Sequence, residues 1–300
     1  LSFYEQASAN RRTTIALFAI FFFLLLALGF VVSFIVGDYL IILLFGAIAV
    51  AYIIVSYYAS GRLVTAISGA KPASERDFRQ LHNIVEEMAI AAGIPKPAVY
   101  IINDSAINAF ATGRDPKHSV ICVTTGCLSR LNREELAGVV AHEMSHIRNY
   151  DIRVMTMAAI LVGVAVLLSD FLLRMFLFGG LGRSRSGSGD KGGLLIVGAI
   201  ALGTVLAILT PIIAQVIKLA ISRKREYLAD ASAVELTRYP KGLASALAKI
   251  DADTEPLKSA NKATAHLYIA NPLKGQKLWM KSLFSTHPPI AERIARLEKM

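Results

Sequence analysis

Cysteine is nearly absent from this chain: Cys122 and Cys127 are the two in 300 residues. That excludes a disulfide framework, and their spacing matches neither a zinc knuckle nor a redox pair. They read as ordinary reduced thiols, in keeping with a soluble part facing a reducing cytoplasm. No internal repeat is present. The first apolar stretch is too long for a signal-peptide core, and no small-residue cleavage site follows it. Charge is scarce as well, at 18% of residues against 54% hydrophobic, with a mean hydropathy of +0.52. Such a chain is too apolar for an ordinary soluble domain, so membrane segments are sought first. The net charge of +10 then points to anionic lipid headgroups more simply than to nucleic acid; no nucleic-acid partner is expected.

What is there begins with two apolar runs, 15–36 and 39–58, broken by Gly37-Asp38. Each has the length of a membrane-spanning helix. Arg11, Arg12, Arg62 and Lys71 flank the pair, which places both outer ends in the cytoplasm by the positive-inside rule. A second pair, 154–178 and 194–217, is joined by a connector, 179–193, rich in Gly, Ser and Arg. Its charges are mixed: Arg183, Arg185 and Lys191 in the connector are outnumbered by Arg148, Arg153, Lys218, Arg223, Lys224 and Arg225 at the base. Four spans with both termini cytoplasmic is the preferred reading; a hairpin that enters the bilayer only in part is the other. Asp170 and Arg174, one turn apart, are placed to pair or to snorkel.

Between and after these pairs the composition is that of a soluble protein. Ser74 is a candidate cap for a helix carrying Phe78, Leu81, Ile84, Val85 and Met88 and stopping at Gly93. Strand-like runs follow at Ala98–Ile102 and Val120–Thr124, with Asn108–Gly113 between them. The expected fold class is mainly α and integral to the membrane, with four transmembrane helices and a cytoplasmic domain containing a small β-sheet. The divisions are 1–60, an N-terminal hairpin; 61–153, the first half of the cytoplasmic domain; 154–218, the second hairpin; and 219–300, its second half.

The chain is organised around His142-Glu143-Met144-Ser145-His146. Asn132 with Glu135 predicts a capping box just before it, and Leu136, Val139, Val140 and Ile147 supply an apolar face, so the motif belongs on a helix running to about Asp151. Histidines four apart on a helix meet one ion, and the intervening Glu143 stands beside the open coordination position, where it can take a proton from bound water. A catalytic zinc needs a third protein ligand. The extended histidine motif is ruled out, because Asn149 and Ile152 stand where it needs Gly and His. Glu226 is the best candidate, since Asp230 follows one turn later and can accept the free ring N–H of a ligating histidine. Glu235, His266 and His287 are competitors without such a partner.

These pieces, taken in order with Asn108–Gly113, Ser222–Asp230 and His287-Pro288-Pro289-Ile290-Ala291-Glu292-Arg293, resemble the HtpX-like membrane zinc metallopeptidases, gluzincin-type relatives of the CAAX-prenyl endopeptidases. The resemblance implies one zinc per chain on His142, His146 and Glu226, with Glu143 as base. It also implies a substrate strand at Asn108, Ala109, Phe110, Ala111 and Thr112, and a role in quality control or stress response at the cytoplasmic membrane. Polypeptides, unfolded or from the membrane, are the implied substrates. His287 is placed either to donate to a developing oxyanion or simply to start a helix. Arg293 lies on that helix within reach of Asp230 as a pairing partner. With the second apolar pair between the ligand helices, the zinc is expected within about two helical turns, or ~10 Å, of the membrane surface. Rival readings are CAAX-type processing and a non-catalytic scaffold holding structural zinc; the intact Glu143 argues against the second.

Overall fold

The computed structural model describes residues 3–164, 223–258, 264–272 and 288–300. The 179–193 connector, the 194–217 run, most of 154–178 and His287 lie outside the described residues. Among those described, α1 (Phe3–Val36) and α2 (Leu40–Ile67) are long and apolar enough to cross a membrane. They turn at Gly37, whose φ of 80° suits glycine, and Asp38 Oδ1 accepts from the N–H of Leu40 at 2.9 Å to start α2. A helix over 151–164, here α6, lies against them. Its Val154, Ala158 and Leu161 pack with Leu17, Phe21 and Leu25 of α1.

The soluble part is built on a four-stranded mixed sheet of β1 (Lys71–Pro72), β2 (Ala98–Ile102), β3 (Ala109–Gly113) and β4 (Ser119–Thr124), in the order β1-β2-β4-β3. Only β2 and β4 run parallel. The sheet sits among α3 (Arg79–Ala92), α4 (Thr125–Arg130), α5 (Arg133–Arg148), α7 (Arg223–Thr237), α8 (Pro240–Ala252) and α9 (Ile290–Leu297). Leu81, Ile84 and Val85 of α3 meet Val139 and Val140 of α5 and Leu243 and Leu247 of α8 in one core. Full burial of each such side chain contributes about 1.5–3 kcal/mol.

Two local expectations are corrected. α3 does not start from Ser74: the N–H of Phe78 bonds the carbonyl of Ser74 in a turn, and the helix begins at Arg79 with no side-chain cap. It does end at Gly93, with φ 67°. The motif helix stops at Arg148 rather than running to Asp151. Tyr150 has φ 60°, a left-handed conformation that breaks the helical ladder, and the chain restarts as α6 at Asp151.

α5 is fixed at its start by the capping box. Asn132 Oδ1 accepts from the N–H of Glu135, and Glu135 Oε2 accepts from the N–H of Asn132, both at 2.8 Å. Glu135 is also bonded by Ser245 Oγ (2.6 Å) and Lys249 Nζ (2.7 Å), so the cap doubles as a tether to α8. These helices cross closely at Gly138, where a Cβ would stand 2.7 Å from the backbone nitrogen of Leu243.

Candidate metal centre

α5 turns a fully buried face inward, and His142, Glu143 and His146 lie on it at 1%, 2% and 3% exposure. α7 presents Glu226, Ala229, Asp230 and Ala233 on its own buried face, at helical spacing. The two alanines allow α7 to approach α5 closely enough for its carboxylates to reach the imidazoles.

Three donors converge there. His142 Nε2 and His146 Nε2 lie 3.3 Å apart, and Glu226 Oε2 and Oε1 lie 3.7 and 3.6 Å from them respectively. Two ligands at zinc bond lengths and a tetrahedral angle are separated by about 3.3–3.4 Å. The donor triangle therefore has the size and chemistry of a two-histidine, one-glutamate metal site. Each imidazole hands its other nitrogen to a carboxylate: His142 Nδ1 lies 3.0 Å from Asp230 Oδ1, and His146 Nδ1 lies 3.1 Å from Asp151 Oδ2. An N–H donated through each Nδ1 frees both Nε2 lone pairs for one shared cation, either a metal ion or a proton held across the 3.3 Å between them.

Asp230 is gripped by Arg293, which is 0% exposed. Arg293 Nε donates to Oδ2 at 2.9 Å and Nη2 to Oδ1 at 2.6 Å, while Nη1 donates to the carbonyl of Ile269 at 3.2 Å. The fork also lies 3.9 Å from Glu226 Oε2. Sequence reasoning placed Arg293 near Asp230, and the structure brings them together. Asp151 was missed. Its Oδ1 accepts from Asn10 Nδ2 of α1 at 2.9 Å and lies 3.5 Å from Arg225 Nε; the same Asn10 amide bonds the carbonyl of Asn149 at 3.0 Å. A carboxylate just beyond the motif, at a helix break, is the signal that could have found it.

The electrostatics of the two histidines diverge. Burial and then the Arg293 charge push His142 down to about 4, against the opposing pull of Asp230. Burial also opposes charge on His146, but Asp151, Glu226 and Glu143 outweigh it and hold its pKa up to about 9. Burial would raise Asp230, yet His142 and Arg293 hold its carboxyl below the usual range. Burial, with Glu143 nearby, pushes the Cys122 thiol well up, and burial pushes Cys127 up to about 11. Burial thus disfavours the thiolate that a nucleophile or a metal ligand needs at both cysteines.

The Asn108–Thr112 stretch is buried throughout and flanks α5. The N–H of Ile269 donates to the carbonyl of Ala109 at 3.0 Å, and the N–H of Gly113 donates to Thr156 Oγ1 at 3.1 Å. Asn108 Nδ2 donates to the carbonyl of Ala270 at 3.0 Å. These contacts lie on the edge of β3 away from β4. By the alternation of an antiparallel ladder, Ala111 turns its backbone groups to that same edge.

The family model for "Peptidase family M48" matches residues 75–300. The chain belongs to peptidase family M48. Among similar curated proteins is a "Protease HtpX homolog" of Caldanaerobacter subterraneus subsp. tengcongensis, 46% identical over 298 residues, covering 99% of this chain and 97% of that one. Another, from Dictyoglomus thermophilum, is 47% identical over 304 residues and covers 100% and 95%. The crystal structure of S. mikatae Ste24p matches with a TM-score of 0.47 and 20% identity, over 83% of this chain and 56% of that one. As an M48 member, the chain is a metalloprotease, and its His142, His146 and Glu226 form a group able to hold a metal ion.

Proposed function

We propose that the M48 chain is a zinc endopeptidase of the cytoplasmic membrane, with His142, His146 and Glu226 as zinc ligands and Glu143 as the general base. The convergence of two imidazole nitrogens and one carboxylate at 3.3–3.7 Å, with Glu143 adjacent on the same helix, carries this reading. Zinc supplies a bound water of lowered pKa and polarises the scissile carbonyl. Glu143 would take a proton from the attacking water and return it to the leaving amine. Asp230 and Asp151 hold the ligating rings in the tautomer that frees Nε2, and Arg293 keeps Asp230 ionised. Within the Asn108–Thr112 stretch the substrate backbone pairs at Ala111, since on that outer edge of β3 the Ala109 carbonyl and the Gly113 N–H already hold Ile269 and Thr156. From its place just before Pro288-Pro289 in the sequence, His287 is proposed as a donor to the developing oxyanion, with a plain helix-start role as the alternative.

The substrates are polypeptides, unfolded or released from the membrane, in a quality-control role. The spans are α1, α2 and the runs 154–178 and 194–217, with the two catalytic halves, 61–153 and 219–300, and both ends of the chain in the cytoplasm. The packing of Val154, Ala158 and Leu161 on α1 supports a third span beginning there, and Arg11, Arg12, Arg62 and Lys71 support the orientation.

The test is casein cleavage by the zinc-loaded protein in detergent, beside Glu143→Gln and Glu226→Ala. Glu143→Gln is expected to keep its zinc and lose about 10²–10⁴-fold in rate. Glu226→Ala is expected to lose zinc while still inserting into membranes. Equal cleavage by Glu143→Gln and wild type would refute the enzyme assignment, and full zinc occupancy in Glu226→Ala would name another ligand.

A further inference from the structure

Away from the metal centre, α2 carries a second feature that the peptidase chemistry does not use. Its exposed apolar side chains run from Leu40 through Leu43, Leu44, Ile48, Ile54 and Val55 to Tyr58. Leu40 to Tyr58 spans about 27 Å at 1.5 Å per residue, close to the ~30 Å of a hydrocarbon core. Tyr58, 67% exposed, thus falls at the interfacial level, where tyrosine is favoured. One turn further, the helix exposes Arg62, at headgroup depth.

Beside Arg62 opens a cavity of about 730 Å³ between the end of α2 and the β2–β4 side of the sheet. Its basic and acidic lining is Arg62, His82, Lys96, Arg114, Lys117 and His118 against Glu75, with His82 Nδ1 3.8 Å from Glu75. Several of these cations are already engaged. Lys96 Nζ lies 2.9 Å from Glu86 and 3.8 Å from Glu75. Arg114 donates to the carbonyl of Tyr58 at 3.0 Å, stands 5.2 Å from the centre of its ring and lies 3.4 Å from Asp115. His118 Nδ1 lies 2.8 Å from the same Asp115. Arg62 and Lys117 have no carboxylate within 4.0 Å among the described residues. Two uncompensated cations thus face one cavity whose wall is pinned to the membrane helix by Arg114.

We propose that this cavity binds the phosphate of an anionic lipid headgroup on Arg62 and Lys117, with the acyl chains lying along the exposed apolar face of α2. A lipid is favoured over a soluble anion because Arg62 sits one helical turn past the end of a lipid-length apolar surface, and Lys117 lines the same cavity. The inference rests on the membrane placement of α2 and not on the zinc chemistry, so lipid binding is the readout, and it can fail while the peptidase assignment stands.

The experiment is native mass spectrometry of the full chain released from micelles containing phosphatidylglycerol or phosphatidylcholine. Wild type is expected to retain phosphatidylglycerol in preference. Arg62→Ala with Lys117→Ala is expected to lower that retention roughly tenfold or more, since each basic residue at the surface adds to anionic-lipid attraction. Arg62→Lys with Lys117→Arg, and a control of equal charge loss, Lys241→Ala with Lys299→Ala, are expected to keep it. Equal retention of both lipids by wild type would overturn the proposal, as would unchanged phosphatidylglycerol binding in the double alanine variant. Adding inorganic phosphate at the same concentration separates the sources: if it displaces the lipid, the site belongs to a soluble anion and the proposal fails.

Discussion

The two sides of the metal centre are built on one plan and balanced differently. On each, a carboxylate holds the Nδ1 of a histidine: Asp230 at 3.0 Å for His142, Asp151 at 3.1 Å for His146. Asp230 is clamped in the soluble core by the buried fork of Arg293. Asp151 is held from the membrane side by Asn10 of α1, with Arg225 more loosely at 3.5 Å. Burial and then the fixed cation beside His142 push its pKa down to about 4, whereas the carboxylates around His146 outweigh burial and hold it up to about 9. Similar histidine–carboxylate pairs are thus tipped in opposite directions by their other neighbours.

The largest expected break in this comparison is Arg293→Met. It leaves Asp230 buried with its main counter-charge gone, which is expected to cost about 3–5 kcal/mol in denaturant unfolding of the detergent-solubilised protein. A variant as stable as wild type would show that Asp230 does not depend on the arginine. Next, Asp151→Asn and Asp230→Asn are each expected to weaken zinc binding about 10–100-fold in competition with a chelator. Asp230→Asn should be the worse of the two, because it also strands Arg293; equal losses would mean that the arginine adds nothing to the His142 side.

Asn10→Ala tests the membrane side alone. It removes hydrogen bonds to Asp151 and to the carbonyl of Asn149, and zinc affinity is expected to fall by up to about tenfold. No change would uncouple α1 from the site. The smallest effect concerns a carboxylate outside the site. Burial would raise Asp253, but the N–H groups of Ile107 and Glu255 and the Arg130 guanidinium hold its carboxyl below 3.8. It therefore stabilises the fold above about pH 4, and that contribution fades as the pH falls through its folded pKa. Asp253→Asn should lower the melting temperature slightly at neutral pH, with the gap to wild type closing in acid. A gap that widens in acid would contradict the assigned sign.

Much of the α5 side was legible in the sequence because its signals are local. Asn132 and Glu135 are three residues apart, the apolar face repeats at helical spacing, and His142 and His146 need only one helix to meet. Glu226 and Asp230 were legible as a pair for the same reason, although their approach to α5 depends on Ala229 and Ala233. Asp151 was hidden by a break that helical periodicity does not announce: Tyr150 at φ 60° redirects the chain. Asn10 was hidden by distance, since its partner lies 141 residues away and nothing in an apolar helix marks one amide as a clamp. The start of α3 was misplaced because Ser74 suits a cap, yet the backbone closes a turn there instead.

The amide of Asn10 gives the anchor a part in the chemistry. A piece of the chain begun after the first two helices would still contain the sheet residues, the capping box and the Arg293–Asp230 pair. It would lose the hold on the aspartate behind His146. If Asn10→Ala weakens zinc binding, low turnover by such a piece would reflect the missing helix rather than a poor catalyst.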